Sequence, residues 1–135
     1  MGETMNRQAG FFKSAVVFLH AMAGWAYCGA LIGVGRSLVS LRVTLIVHAI
    51  GAPIGFALIS RYYFRHFAYT TALQTATAFL LIVFGLDALL VAPLLEKSFV
   101  MFRSLVGTWI SFALIFAATY LTGLQTLSQS PNRDV

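Results

Sequence analysis

Residues 70–95 read TTALQTATAFLLIVFGLDALLVAPLL, and positions 80–86 within them are unbroken apolar sequence. Residues 112–118, FALIFAA, repeat the pattern. In lipid only helices and closed barrels satisfy every backbone polar group. Barrel strands are about 10 residues long and alternate in polarity, which neither stretch does. The reading is therefore helical.

Working outward, four apolar stretches stand at residues 14–35, 43–60, 70–95 and 104–124. Each is near the ~20 residues that cross a hydrocarbon core of about 30 Å. The breaks between them are short, so consecutive helices are expected to be antiparallel neighbours. The expected fold is an all-α integral membrane protein, a single domain over residues 1–135 built as a four-transmembrane-helix up-down-up-down bundle. Residues 125–135 are polar, contain Pro131, and read as a frayed tail.

Composition agrees with that fold. The 135 residues are 59 % hydrophobic and 10 % charged, with a mean hydropathy of +0.85. A soluble domain is roughly 45–50 % apolar and about 25 % charged. Nine Lys and Arg against four Asp and Glu give a net charge of +5, scattered in the breaks between apolar runs. A nucleic-acid surface would need a clustered basic face, so the charges read as anchors to the lipid bilayer and no nucleic-acid partner is expected.

The N-terminal run at 15–19 reaches His20 after five residues, short of the roughly 7–15 of a signal-peptide core. It reads as a retained helix. Asn6 stands where a myristoylation signal wants Ser or Thr. Arg7, Lys13, Arg61, Arg65 and Arg133 fall on the side of the termini, and Arg36, Arg42, Lys97 and Arg103 on the other. That five-to-four split hardly biases insertion; the expected orientation is both termini cytoplasmic in a cell (inner) membrane, with a dual topology, in which the chain pairs with an inverted copy of itself, as the alternative. Tyr62, Tyr63, Phe64, Phe67 and Tyr69 cluster at one boundary as an interfacial aromatic belt.

Small residues are concentrated in the first two spans. Gly24, Gly29 and Gly33 lie in the first, Gly51 and Gly55 in the second, and Gly29/Gly33 and Gly51/Gly55 are both GxxxG pairs. Such pairs let backbones approach closely in lipid, so the two helices are expected to pack with small residues facing small residues. Pro53, inside the second span, is expected to remove a backbone hydrogen bond and kink the helix.

Ionisable groups deep inside spans are rare and normally face the bundle interior. His20, His48 and Asp87 are the ones here. Counting from the loops at 1.5 Å per residue sets Cys28, His48 and Asp87 within about 5 Å of one depth, with Thr108 and Ser111 beside them. These five are the expected binding residues, with His48 and Asp87 paired. A secondary polar layer of His20, Thr77 and Tyr120, with Thr75 and Thr119 near the same depth, is expected nearer the termini. Arg36, Arg42 and Arg103, with Glu96 and Lys97, form a basic mouth beside the first layer.

Cys28 is the single cysteine, so no disulfide forms within the chain. No Walker loop, nucleotide fingerprint, HExxH, CxxC or nucleophile elbow is present. No catalytic residue, metal site or cofactor is assigned, and the chain reads as a non-enzyme. The functional expectation is binding or transport of a small solute or ion at the His48/Asp87 site, in a homo-oligomer or as a subunit of a membrane complex. Two alternatives stand beside it. One is a redox protein holding haem through a single His, or a quinone near His48 and Asp87. The other is a structural or accessory subunit whose polar groups bond neighbouring helices.

Overall fold

The computed structural model describes residues 1–130. Among these there are helices and no strands, and four of the helices are long and apolar enough to cross a membrane.

Helix α1 spans Gly2–Leu38. At 1.5 Å per residue its 37 residues reach about 55 Å, well beyond the segment 14–35 expected from hydropathy. No proline interrupts the polar start of the helix, and residues 2–14 are all exposed. Val39 adopts an extended conformation and ends α1. Ser40 then caps α2, Leu41–His66, accepting from Val43 N at 3.4 Å.

Helix α2 continues through Pro53 and six residues past Ser60. That extension changes the reading of the aromatic belt. Tyr63 lies seven residues after Phe56 and three after Ser60, on one helical face, and all three are fully buried. Tyr63 and Phe64 are core residues, while Tyr62 stays outside.

Residues 67–71 connect to α3, with Ala68 in the left-handed region at φ 47°. Helix α3 spans Ala72–Leu86 and opens on a capping box. Thr71 Oγ1 accepts from Gln74 N at 3.2 Å, and Gln74 Oε1 accepts from Thr71 N at 3.1 Å. From Asp87 to Leu95 the chain widens into a π-helix containing Pro93. In an α-helix the Pro93 ring would crowd the carbonyl four residues earlier, and proline has no N–H to donate to it. The wider turn relieves that contact.

A 3₁₀ turn at Val100–Arg103 and a π turn at Leu105–Ile110 lead into α4, Ser111–Ser128. Residues 125–128, read as tail, are therefore helical; Pro131 and Arg133 lie outside the described residues.

Three registers fix the packing. Gly35 meets Thr44, Gly24 meets Phe56, and His20 meets Tyr63, so numbers fall along α1 as they rise along α2. Along α1 and the stretch from Tyr69 to Glu96 that contains α3 they rise together, through Phe12 and Tyr69, Trp25 and Asp87, and Arg36 and Glu96. They also rise together along α2 and α4, through Leu45 and Gly107, His48 and Ser111, and Phe64 and Gly123.

The helices thus form a ring in the order α1, α2, α4, α3, with α2 and α3 on a diagonal. This departs from the expectation that consecutive helices are neighbours. Two residues join α1 to α2 and force adjacency. The five between α2 and α3 reach up to about 17 Å, enough to cross a bundle whose neighbours are 8–10 Å apart. Ring contacts of Phe79 with Phe56 (6.0 Å) and Tyr63 (6.3 Å) fill the centre along that diagonal.

The close approaches differ from a small-on-small interface. A Cβ added at Gly24 would overlap the Phe56 ring, and one at Gly55 would overlap Tyr27. Gly51 lies against Leu31. Glycine here accommodates large side chains from the partner helix. Gly29 and Gly33 touch nothing within 4 Å at the Cβ position, so that GxxxG pair is not a helix contact among the described residues.

Candidate functional site

Aromatic rings fill the half of the bundle nearer the termini, but the other half encloses a cavity of about 270 Å³. Each wall follows from helical phase. On α1, Trp25, Gly29, Gly33 and Arg36 recur at three- to four-residue spacing and share a face. The two glycines contribute no side chain to that wall, which leaves the space open.

Cys28, His48, Asp87, Thr108 and Ser111, the five residues singled out by depth, all line this cavity. Their bonding differs from the expected arrangement. His48 and Asp87 are not paired: His48 Nδ1 lies 3.4 Å from Ser111 Oγ, and Asp87 Oδ1 accepts from Trp25 Nε1 at 2.9 Å. The helix order explains this, because α2 borders α4 and α3 borders α1, while α2 and α3 face each other only across the diagonal. Thr108 Oγ1 donates to the Met101 carbonyl at 2.6 Å and is committed to its own loop.

Val83, Phe112 and Ile115 close the inner end, with the buried Phe56 and Phe79 rings packed edge to face in the next layer. Phe84, Phe102, Trp109 and Phe112 form an aromatic cluster that ties α3 to α4 beside the cavity. At the outer end Arg36 Nη1 and Glu96 Oε1 form an ion pair at 2.7 Å, both side chains about half exposed (50 % and 41 %). Of the charges read as a basic mouth, only Arg36 and Glu96 line this cavity.

The secondary polar layer does not assemble as expected. Thr77 faces outward, because it lies two residues, about 200° of helix, from the inward-facing Thr75. Tyr120 stacks on Phe116 at 6.2 Å. His20 packs among Tyr62, Tyr63 and Phe67 at 6.0, 5.4 and 5.3 Å, its Nδ1 2.7 Å from the Val16 carbonyl. Thr75 and Thr119, set at this depth by the sequence, are buried here, and further polar groups join them. Tyr63 Oη, Thr70 Oγ1 and Thr75 Oγ1 form a chain with 2.7 Å links. Ser60 Oγ and Thr119 Oγ1 are buried with no hydrogen-bond partner among the described residues.

His20 lies beside Tyr63, fifteen residues beyond His48 along α2. That is about 22 Å of helix axis, so the two imidazoles cannot hold one iron. Among the described residues no three His, Cys, Asp or Glu side chains converge to hold a metal. Cys28, His48 and Asp87 share a cavity without forming a ligand set.

Sequence reasoning missed Trp25, which holds Asp87. The available signal was an indole N–H deep in an apolar span, since a buried indole N–H usually finds an acceptor. Comparison with protein-family models, with characterised proteins and with solved structures finds no match to the chain.

Proposed function

We propose that the chain is a multi-pass membrane protein, an up-down-up-down bundle of transmembrane helices, that binds a small solute or ion in an intramembrane cavity reached from one face. The observation that carries this reading is the lining of a single cavity by Cys28, His48, Asp87, Thr108 and Ser111. Polar groups at that depth are costly in lipid and mark solute or ion sites by default. Here they come from all four helices and surround a space closed by aromatic rings at one end and bordered by Arg36 and Glu96 at the other.

With the termini cytoplasmic, the mouth opens on the opposite side of the membrane. Carrying a solute across would require the Phe56, Phe79 and Ile115 layer to part. The four helices of one chain supply the lining, so binding is assigned to the single chain. Self-association or a place in a larger complex would use the apolar outer face.

Cys28 provides the test, because it is the single cysteine and lines the cavity. A membrane-impermeant thiol reagent, methanethiosulfonate ethyltrimethylammonium, is applied to membrane vesicles of each orientation. Labelling only from the side bearing Arg36 and Glu96 is the expected result. Labelling from neither side, or equally from both, would reject a one-sided cavity. A Soret band in the purified protein would instead support the haem reading.

A further inference from the structure

Asp87 is the one carboxylate deep in the cavity, and the chain supplies it with no counter-charge among the described residues. Arg36 is engaged by Glu96 at the mouth. His48 is turned to Ser111 on the far wall. Among the described residues the one hydrogen bond to the Asp87 side chain is from the uncharged Trp25 indole. A carboxylate at membrane depth normally pairs with a cation.

The surroundings narrow the kind of cation. Metal coordination is disfavoured, because among the described residues no group of three His, Cys, Asp or Glu side chains forms around Asp87. Val83, Phe112 and Ile115 offer apolar contact below it, and Trp25 and Phe112 offer ring surface that attracts organic cations. The bond to Asp87 uses the in-plane N–H of the indole and not its faces. An anion finds no unpaired Lys or Arg among the described residues of the lining.

We propose that the solute is a small organic cation, an amine or quaternary ammonium, seated with its charge at Asp87 and its apolar body against Trp25 and Phe112. This rests on the cavity being a water-reached solute site. The same chemistry is carried by a free solute or by a lipid ammonium headgroup.

The test uses the full chain in phosphatidylglycerol nanodiscs and follows modification of Cys28 by the small neutral reagent methyl methanethiosulfonate. Three competitors of one shape are compared: choline, its uncharged carbon isostere 3,3-dimethylbutanol, and the anion 3,3-dimethylbutyrate. Choline is expected to slow labelling, and the other two to leave it unchanged. Asp87→Asn keeps an acceptor for Trp25 and removes the charge, so half-protection should need about 30-fold more choline.

Equal protection by 3,3-dimethylbutanol or by the anion overturns the cation proposal and leaves the cavity reading intact. Labelling that no competitor slows overturns it as well. Absence of labelling removes the water-reached cavity and the proposal with it. The competitor series on the unmodified chain decides the matter even if Asp87→Asn does not fold. Slower labelling in phosphatidylcholine nanodiscs without added solute would identify the lipid headgroup as the source.

Discussion

Trp25 and Asp87, 62 residues apart in sequence, are joined by a 2.9 Å hydrogen bond that ties α1 to α3 at the inner end of the cavity. Leaving a buried hydrogen-bonding group without its partner costs about 1–3 kcal/mol. Trp25→Phe keeps a ring in place but removes the donor, and should lower stability by about that amount. Asp87→Asn retains an acceptor for the indole and should cost less. Reversible unfolding in mixed micelles, read by helical circular dichroism, distinguishes the two.

The glycines of α1 divide into two kinds. Gly24 lies against the fully buried Phe56 ring, whereas Gly29 and Gly33 face open space. Gly24→Ala should therefore destabilise by about 1–3 kcal/mol through overpacking. Gly29→Ala should be neutral or stabilising by up to about 1 kcal/mol, as expected for Ala over Gly in a helix interior. The same unfolding assay checks both. Equal destabilisation would show that Gly29 contacts a partner outside the single chain.

Open space at Gly33 also allows the cavity to be filled. Gly33 lies five residues from Cys28 toward the mouth, and both line the cavity. Gly33→Leu should leave the bundle folded while strongly slowing thiol labelling of Cys28. Unchanged labelling in a well-folded variant would show that the reagent reaches Cys28 by another path, such as between α1 and lipid.

Much of this site was legible before the structure, for a geometric reason. Short loops and a fixed rise per residue convert sequence position into depth, so Cys28, His48, Asp87, Thr108 and Ser111 could be set at one level. Depth does not specify azimuth. Which helices adjoin depends on the reach of residues 67–71, and that determined that His48 meets Ser111 and Asp87 meets Trp25. Tyr63 and Phe64 were misread as a belt because charged Arg61 suggested a helix end, although α2 runs on to His66. The widening after Asp87 follows from Pro93, a residue whose effect on phase hydropathy does not register.

The ion pair at the mouth should matter more for access than for stability. Arg36 and Glu96 are about half exposed, and such pairs contribute roughly 0–1 kcal/mol, so neutralising either should barely change unfolding. Their effect on entry should depend on charge. Arg36→Gln leaves Glu96 unpaired and should speed Cys28 labelling by the cationic ethyltrimethylammonium reagent while slowing its anionic sulfonate counterpart. Glu96→Gln frees Arg36 and should invert both effects. Added salt should shrink the differences, because half-exposed charges are screened. If both variants speed both reagents equally, the pair acts as a steric latch, and the cavity mouth does not select entrants by charge.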